Sequence, residues 1–435
     1  MGYPGTEELK KLMYQIDDYS CLMHEYGAEG IQELLDAEEK RLKTLLETVK
    51  KLPINEELRS REPDGLAQIR ALCPEGPRKM WKELDKDVYR EKLEGALLSR
   101  LAGCILGVPV ENWSVKEMED WAAYIGDAFP PVDYWSEVKR NPHPHYGKSD
   151  FDDYTRAKMS YAPADDDITY TMLGLLIAED FGLNFTTEDV GKAWVKYLPV
   201  ACTAEAVALN NLKKGVDAQE AAEVDNPYCQ WIGADIRSDP WAYMAPGNPE
   251  KAAELAYRDA YLSHRRNGIY GEMFFAAAQA AAFCTDNAID AIKIGLTEIP
   301  ADCSLAKDVR WALEVGPGLA DYKEARQAVD ERFRGMHCVH TNNNACLTIF
   351  GLILGGNDMS KVLSQTLAMG LDNDCTTATA GSIIGAIVGK KGVPEHWYKP
   401  FNNTVRTYIN DREYFAIDDL VDRFTALAEK VYSKK

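Results

Sequence analysis

Apolar residues recur every three or four positions along most of the chain, the period of a helix with one buried face. In residues 32–52 (QELLDAEEKRLKTLLETVKKL) Leu and Val fall at that spacing with Glu and Lys between them, which predicts an amphipathic helix. From Leu93 the pattern changes. GALLSRLAGCILG at 95–107 is apolar and small all round, which predicts a buried, closely packed helix. Further helices are predicted over 167–179, over 187–197 after a Thr186/Thr187 cap, and over 249–262 after Asn248-Pro249. Others follow at 271–283, 304–314, 318–333 and 344–354, from the Asp358 cap to 369, at 376–388 and at 417–432. Residues 121–164, rich in Pro, Tyr and His, read as a long loop of the kind that often carries function. No run shows the alternation of a strand, and no 20–50-residue period repeats. The expectation is an all-α protein. A helical extension, 1–85, is broken by Pro53, Pro63, Pro74 and Pro77, and a compact many-helix domain follows over 86–435.

Composition narrows the function. The 435 residues are 46% hydrophobic and 27% charged, ordinary for a folded globular protein. The net charge of −20 repels phosphate backbones and anionic lipid, which disfavours nucleic acid and membrane surfaces as partners. No run of 18 apolar residues stands out as a membrane span, and the N-terminus lacks the apolar core of a secretory signal. Ten scattered cysteines, none in a CxxC pair, suggest free thiols and a cytoplasmic location.

Several motifs fail on inspection. GAIVGKK at 385–391 has three residues between its glycines and a second Lys where a phosphate loop needs four and then Ser or Thr. Gly381, Gly385 and Gly389 recur every four residues instead, a spacing that lets one helix approach another closely. HCVH at 337–340 has no second Cys/His pair at zinc spacing, and His143 and His145 in the Pro-rich loop read as non-ligands.

Two acidic segments remain, each just before an apolar, small-residue helix. One is PADDDITYTMLGLL, with Asp165, Asp166 and Asp167; the other is GLDNDCTTATAGSIIGAIVG, with Asp372 and Asp374. A helix cap uses one carboxylate, not three. Adjacent charges ~5 Å apart repel by roughly 3 kcal/mol at an effective dielectric of ~20, so a buried cluster needs protons or cations. Hard oxygen donors select Mg²⁺, Ca²⁺ or Mn²⁺. Asp372 and Asp374 point together only if the backbone there is a turn entering the helix.

Four blocks, taken together, resemble the ADP-ribosylglycohydrolase family. They are GCILGVPVENW at 103–113, ADDDITYTML at 164–173, the long segment from WIGADIR through NPEKAAELAYRDAYLSH to the small-residue helix at 231–283, and GLDNDCTTATAGSIIGAIVG at 370–389. The resemblance covers about residues 90–410. It implies an all-α fold whose central cleft holds two Mg²⁺ ions, or Mn²⁺ in some members. It also implies hydrolysis of an N- or O-glycosidic ADP-ribosyl bond, releasing ADP-ribose from a modified protein or a small ADP-ribosyl ligand. By the same resemblance Asp165, Asp166, Asp167, Asp372, Asp374 and Cys375 stand at the metal positions, and Glu111, Asp166 and Asp374 at the catalytic ones. Gly233, Ala234, Arg237, His264, Tyr270 and Gly271 stand on the substrate side. Asp165 and Cys375 occupy positions where the family carries Thr, Cys104 that of an Asp, and Ile232 that of an Asn. Arg237 has a second reading, as an ion-pair partner of Asp235 or Asp239. Two other functions stay open from the residues: a non-catalytic ADP-ribose binder or crystallin-like relative, and a hydrolase of another ribosyl or nucleotide-like ligand.

Overall fold

The computed structural model describes residues 3–139 and 141–433. Among the described residues the regular structure is helical apart from two three-residue strands, Thr404–Arg406 and Tyr414–Ala416, paired antiparallel. These strands escaped the sequence pattern because three residues are too few to show a period. They matter to the site. Ala162 donates its N–H to Thr404 O at 2.8 Å and accepts from Arg406 N–H at 2.9 Å, which fixes the backbone just ahead of Asp165.

The chain forms two compact units. One comprises Met1–Ser60 with Arg334–Met336 and contains the helices Glu7–Glu25 and Ile31–Lys50, neither of which buries a residue. The other comprises Arg61–Phe333 and His337–Lys435 and holds the core; residues 61–85 group with it. Within that unit the buried Glu62 carboxylate accepts the Ser304 N–H at 2.7 Å and the Asn267 amide at 3.0 Å, and Tyr270 Oη donates to Pro63 O.

The core is built on two helices, Lys86–Gly107 and Asn373–Val388. Small residues let their backbones touch. A Cβ added at Gly95 would lie 2.4 Å from Gly385 O, one at Gly381 2.4 Å from Ser99 O, and one at Gly103 2.3 Å from Thr377 O. At the last of these steps a Cβ at Gly107 would meet Asp374 Cα at 2.3 Å. The four-residue glycine spacing therefore serves close approach, and the approach carries Asp374 to the end of the partner helix, four residues short of Glu111. Lys86–Val110 is long and apolar enough to cross a bilayer, but 94% of its most apolar window is buried inside the protein.

Most predicted helices are present, and the shifts have physical causes. Asn267–Ala282 begins four residues before the predicted 271, because Gly268 and Gly271 serve packing rather than a break. A Cβ at Gly271 would meet Thr341 Cγ2 at 2.5 Å. Tyr322–Arg332 begins later than 318, where the Asp321 carboxylate accepts the Lys323 and Glu324 N–H groups. The segment read as a loop from 121 starts inside a helix, Val115–Ile125, opened by a Ser114/Glu117 capping box.

Candidate active site

The three consecutive aspartates open the helix Asp166–Phe181 and point to three different tasks. Asp165 is the cap. Its Oδ1 accepts the Asp167 N–H at 2.9 Å and the Cys104 thiol at 3.2 Å, and its Oδ2 lies 2.8 Å from His145 Nε2. Asp167 turns inward, 3.3 Å from the guanidinium of the buried Arg100, which also pairs with Asp239 at 2.7 Å. Asp166 faces a cavity. His145, read from sequence as a non-ligand in a loop, is thus the residue that holds the cap carboxylate from the outside.

The second acidic segment enters its helix through a left-handed turn. Gly370 has φ 70° and Leu371 φ 62°, the latter a costly conformation for a bulky side chain and one that clusters at functional sites. Neighbours hold the turn: Asn112 donates its N–H to Leu371 O at 3.0 Å, and Asp372 donates its N–H to Asn344 Oδ1 at 3.2 Å. Asp372 and Asp374 converge as a result, which a straight helix would not allow.

The two segments meet at Asp374. One group joins Asp374 to Asp165 and Asp167, the other joins it to Asp372 and Glu111, and within each group ligand oxygens lie within 4.8 Å of one another. Among the described residues both groups are carboxylates only. The buried Cys375 thiol belongs to neither, and Asp166 stands at the cavity beside them. Asp374 Oδ1 is buried without a hydrogen-bond partner, and every donor atom is a hard oxygen. The set fits divalent cations.

Burial first, and mutual repulsion next, raises the carboxyls of Asp165, Asp372 and Asp374 well above the ordinary range. Asp167 is raised by burial against the opposing pull of Arg100. Glu111 is pushed from 4.5 up to about 8, by the Asp374 charge first and burial second. These acids hold protons in the fold that the unfolded chain releases. Stability is therefore expected to fall as pH rises from about 4.5 towards 8 in EDTA. A divalent cation replaces those protons, so saturating metal should remove most of the loss; at 100 times its Kd it adds about 2.7 kcal/mol. Calorimetric melting across this range, with EDTA and with metal, checks it. Equal pH dependence in both would show that the carboxylates do not hold the ion.

Above the carboxylates lies a partly open cavity of about 110 Å³. Glu111, Asp166, Asp167, Asp372 and Asp374 form one side, and Gly233, Ile232, Glu205, Tyr146, Tyr170 and Trp231 are among the residues of the others. Tyr146 stacks on Tyr408 with ring centroids 4.6 Å apart, and Trp231 stacks on His337 at 4.0 Å. Thr203, also on the wall, is held at φ 43°, a strained value for a β-branched residue. Of HCVH, His337 is thus a stacking partner, and His340 Nδ1 accepts the Asn342 N–H at 3.2 Å as a cap.

The remaining substrate-side residues stand behind the wall. Ala234 and His264 are fully buried, and the imidazole lies 2.8 Å from Ser263 Oγ, kept neutral by burial and by the Arg237 charge. Tyr270 and Gly271 sit in the core contacts already described. Arg237 is 1% exposed and lies behind the cavity wall, paired with its residues Glu205 and Gly233. It pairs with neither Asp235 nor Asp239. Its guanidinium lies 2.8 Å from Glu205, 2.5 Å from Asp259 and 3.5 Å from Glu272, with Trp194 flanking it. Asp239 is taken by Arg100, and three carboxylates draw the Arg237 fork inward. Sequence reading missed Glu205 and Tyr146, which carry no motif. It also missed Arg100, which did carry a signal: a charge inside GALLSRLAGCILG must be paired.

A helical fold with two carboxylate groups converging beneath a partly open cavity defines a class of scaffold able to hold divalent cations. The particular family follows from comparison: the ADP-ribosylglycohydrolase family model matches residues 85–434, most of the chain, and the protein belongs to that family of glycosyl hydrolases. Among solved structures 46 chains match. One titled "ADP-ribosylglycohydrolase-related protein complex" aligns with a TM-score of 0.55 at 16% identity, over 79% of this chain and 99% of that one, a likeness of fold. No curated protein matches.

Proposed function

We propose that the protein hydrolyses the N- or O-glycosidic bond of an ADP-ribosyl group in a Mg²⁺-dependent reaction that releases ADP-ribose. The observation that carries this reading is the pair of carboxylate groups sharing Asp374 beneath the cavity. Asp165, Asp166, Asp167, Asp372 and Asp374 would hold two Mg²⁺ ions, with Mn²⁺ as substitute. When bound, the ions supply Lewis acidity and a water of lowered pKa. Glu111, partly exposed at the rim, is placed to exchange a proton with the leaving group or with the attacking water. The carboxylates stabilise the oxocarbenium-like charge that develops at the anomeric carbon. Gly233 offers backbone, without side-chain bulk, for the diphosphate, and Tyr146, Tyr170 and Trp231 offer ring faces for a base. Arg237 and His264 position this wall from behind. Ten unpaired cysteines support a cytoplasmic setting.

The test is turnover of ADP-ribosylated peptides linked through Arg and through Ser, and of small ADP-ribosyl esters, in Mg²⁺ and in EDTA. Release of ADP-ribose in Mg²⁺, lost in EDTA, is the expected result. Turnover unaffected by EDTA would overturn the metal reading. Hydrolysis confined to other ribosyl compounds would overturn the substrate.

A further inference from the structure

The first compact unit carries an unusual surface. Its two helices, Glu7–Glu25 and Ile31–Lys50, are joined by a turn with Gly27 and Gly30 at positive φ. Among the described residues, exposed large apolar side chains elsewhere are few and scattered, but here they crowd together. On the first helix Leu9, Leu12, Met13, Ile16, Tyr19 and Met23 are all exposed; on and just after the second, so are Leu34, Leu45, Leu46, Val49 and Leu52. The first set falls at three- and four-residue spacing and forms one stripe; on and just after the second helix Leu45, Leu46, Val49 and Leu52 do the same, and Leu34 lies on that face three turns earlier. Ala37, Lys40, Arg41, Thr44, Leu45 and Thr48 line a groove along the second helix. Soluble proteins rarely leave such a patch bare unless a partner covers it.

Charge says which partner. Residues 33–39 carry Glu33, Asp36, Glu38 and Glu39, a net −4. Residues 40–51 carry Lys40, Arg41, Lys43, Lys50 and Lys51 against Glu47, a net 5 − 1 = +4. The helix is therefore acidic in one half and basic in the other, with Leu34 exposed in the acidic half and Leu45, Leu46 and Val49 in the basic half. Two copies laid antiparallel and centred between Glu39 and Lys40 set Glu39 against Lys40, Glu38 against Arg41 and Asp36 against Lys43, and bring Leu34 of each onto Leu45 of the other. The pairs Arg41–Glu38, Lys43–Glu39 and Lys50–Glu47 within the helix are largely exposed, hence weak, and do not compete strongly. Size is adequate: a 20-residue helix is ~30 Å long, and faces about 10 Å wide on two such helices give on the order of 600 Å² per copy, the lower end for a specific dimer.

We propose that this helix pair is a dimerisation arm, and that its partner is the same arm of a second copy of the chain, paired antiparallel about a twofold axis. The interface lies outside residues 85–434, the part shared with the family. It does not depend on the reading of the active site.

The experiment uses the full-length chain and light scattering after size exclusion, across the micromolar range. One variant reverses the acidic half (Glu33→Lys, Glu38→Lys, Glu39→Lys); another reverses the basic half (Lys40→Glu, Arg41→Glu, Lys43→Glu). The wild type should run at twice the monomer mass, each variant alone at the monomer mass, and an equimolar mixture again at twice. Circular dichroism and unchanged turnover show that each variant is folded. A wild type that is monomeric throughout overturns the proposal. So do variants that dimerise alone, or a mixture that stays monomeric.

Discussion

Asp374→Asn is expected to lose turnover by 10³-fold or more, about 4 kcal/mol of transition-state stabilisation, while the fold persists. Asp374 is the one carboxylate common to both groups, so its amide removes a ligand charge from each. The substitution is isosteric, which matters because Gly107 packs on its Cα with no room for adjustment. In EDTA the variant should be at least as stable as the wild type. A carboxyl raised well above its ordinary range is one whose charge the fold resists, and Asn carries none. The metal-induced rise in Tm should shrink with turnover. A variant that keeps both within tenfold of the wild type would show that Asp374 does not hold the ion.

Arg237→Met is the largest expected effect on stability, a loss of about 3–5 kcal/mol. The guanidinium is the buried cation facing Glu205, Asp259 and Glu272, and it also donates to Ser263 Oγ at 3.1 Å and Gly233 O at 3.2 Å. Met fills similar volume but leaves the three acids uncompensated. Glu205 is raised to about 7 by burial even with Arg237 opposing, and would hold its proton more firmly without it. Arg237→Lys should recover only part, because one ammonium cannot reproduce a fork that reaches three carboxylates. Urea unfolding of the three proteins measures this. A loss below about 1 kcal/mol would mean that the acids are already neutral together and the pairing is incidental. Because Glu205 lines the cavity, KM should move along with stability.

The physics of these two residues also explains what the sequence could reveal. The helices were legible because each buries one face, and caps such as Thr186, Asn248 and Asp358 mark their starts. Ser114 and Glu117 gave the same signal for a helix that went unread. The aspartate clusters were legible as a surplus of charge that capping could not absorb. Their division of labour was not, because it depends on Arg100 reaching Asp167 and His145 reaching Asp165 across long stretches of chain. The convergence of Asp372 and Asp374 hung on a left-handed Leu371, a conformation that no propensity signals. Arg237 lay within a family-like loop, and only the fold shows that its partners come from Thr203–Lys213, Pro249–Ala260 and Asn267–Ala282. The departures at positions 104 and 165 make sense as a pair: the thiol of Cys104 donates to the carboxylate of Asp165.

The central claim is that the two carboxylate groups hold cations which the ADP-ribosyl ligand needs. Calorimetric titration of ADP-ribose into the wild-type protein, in Mg²⁺ and then in EDTA, tests it most directly. Saturable binding in Mg²⁺ that disappears in EDTA is the result expected. Binding of equal strength in both conditions would contradict the claim.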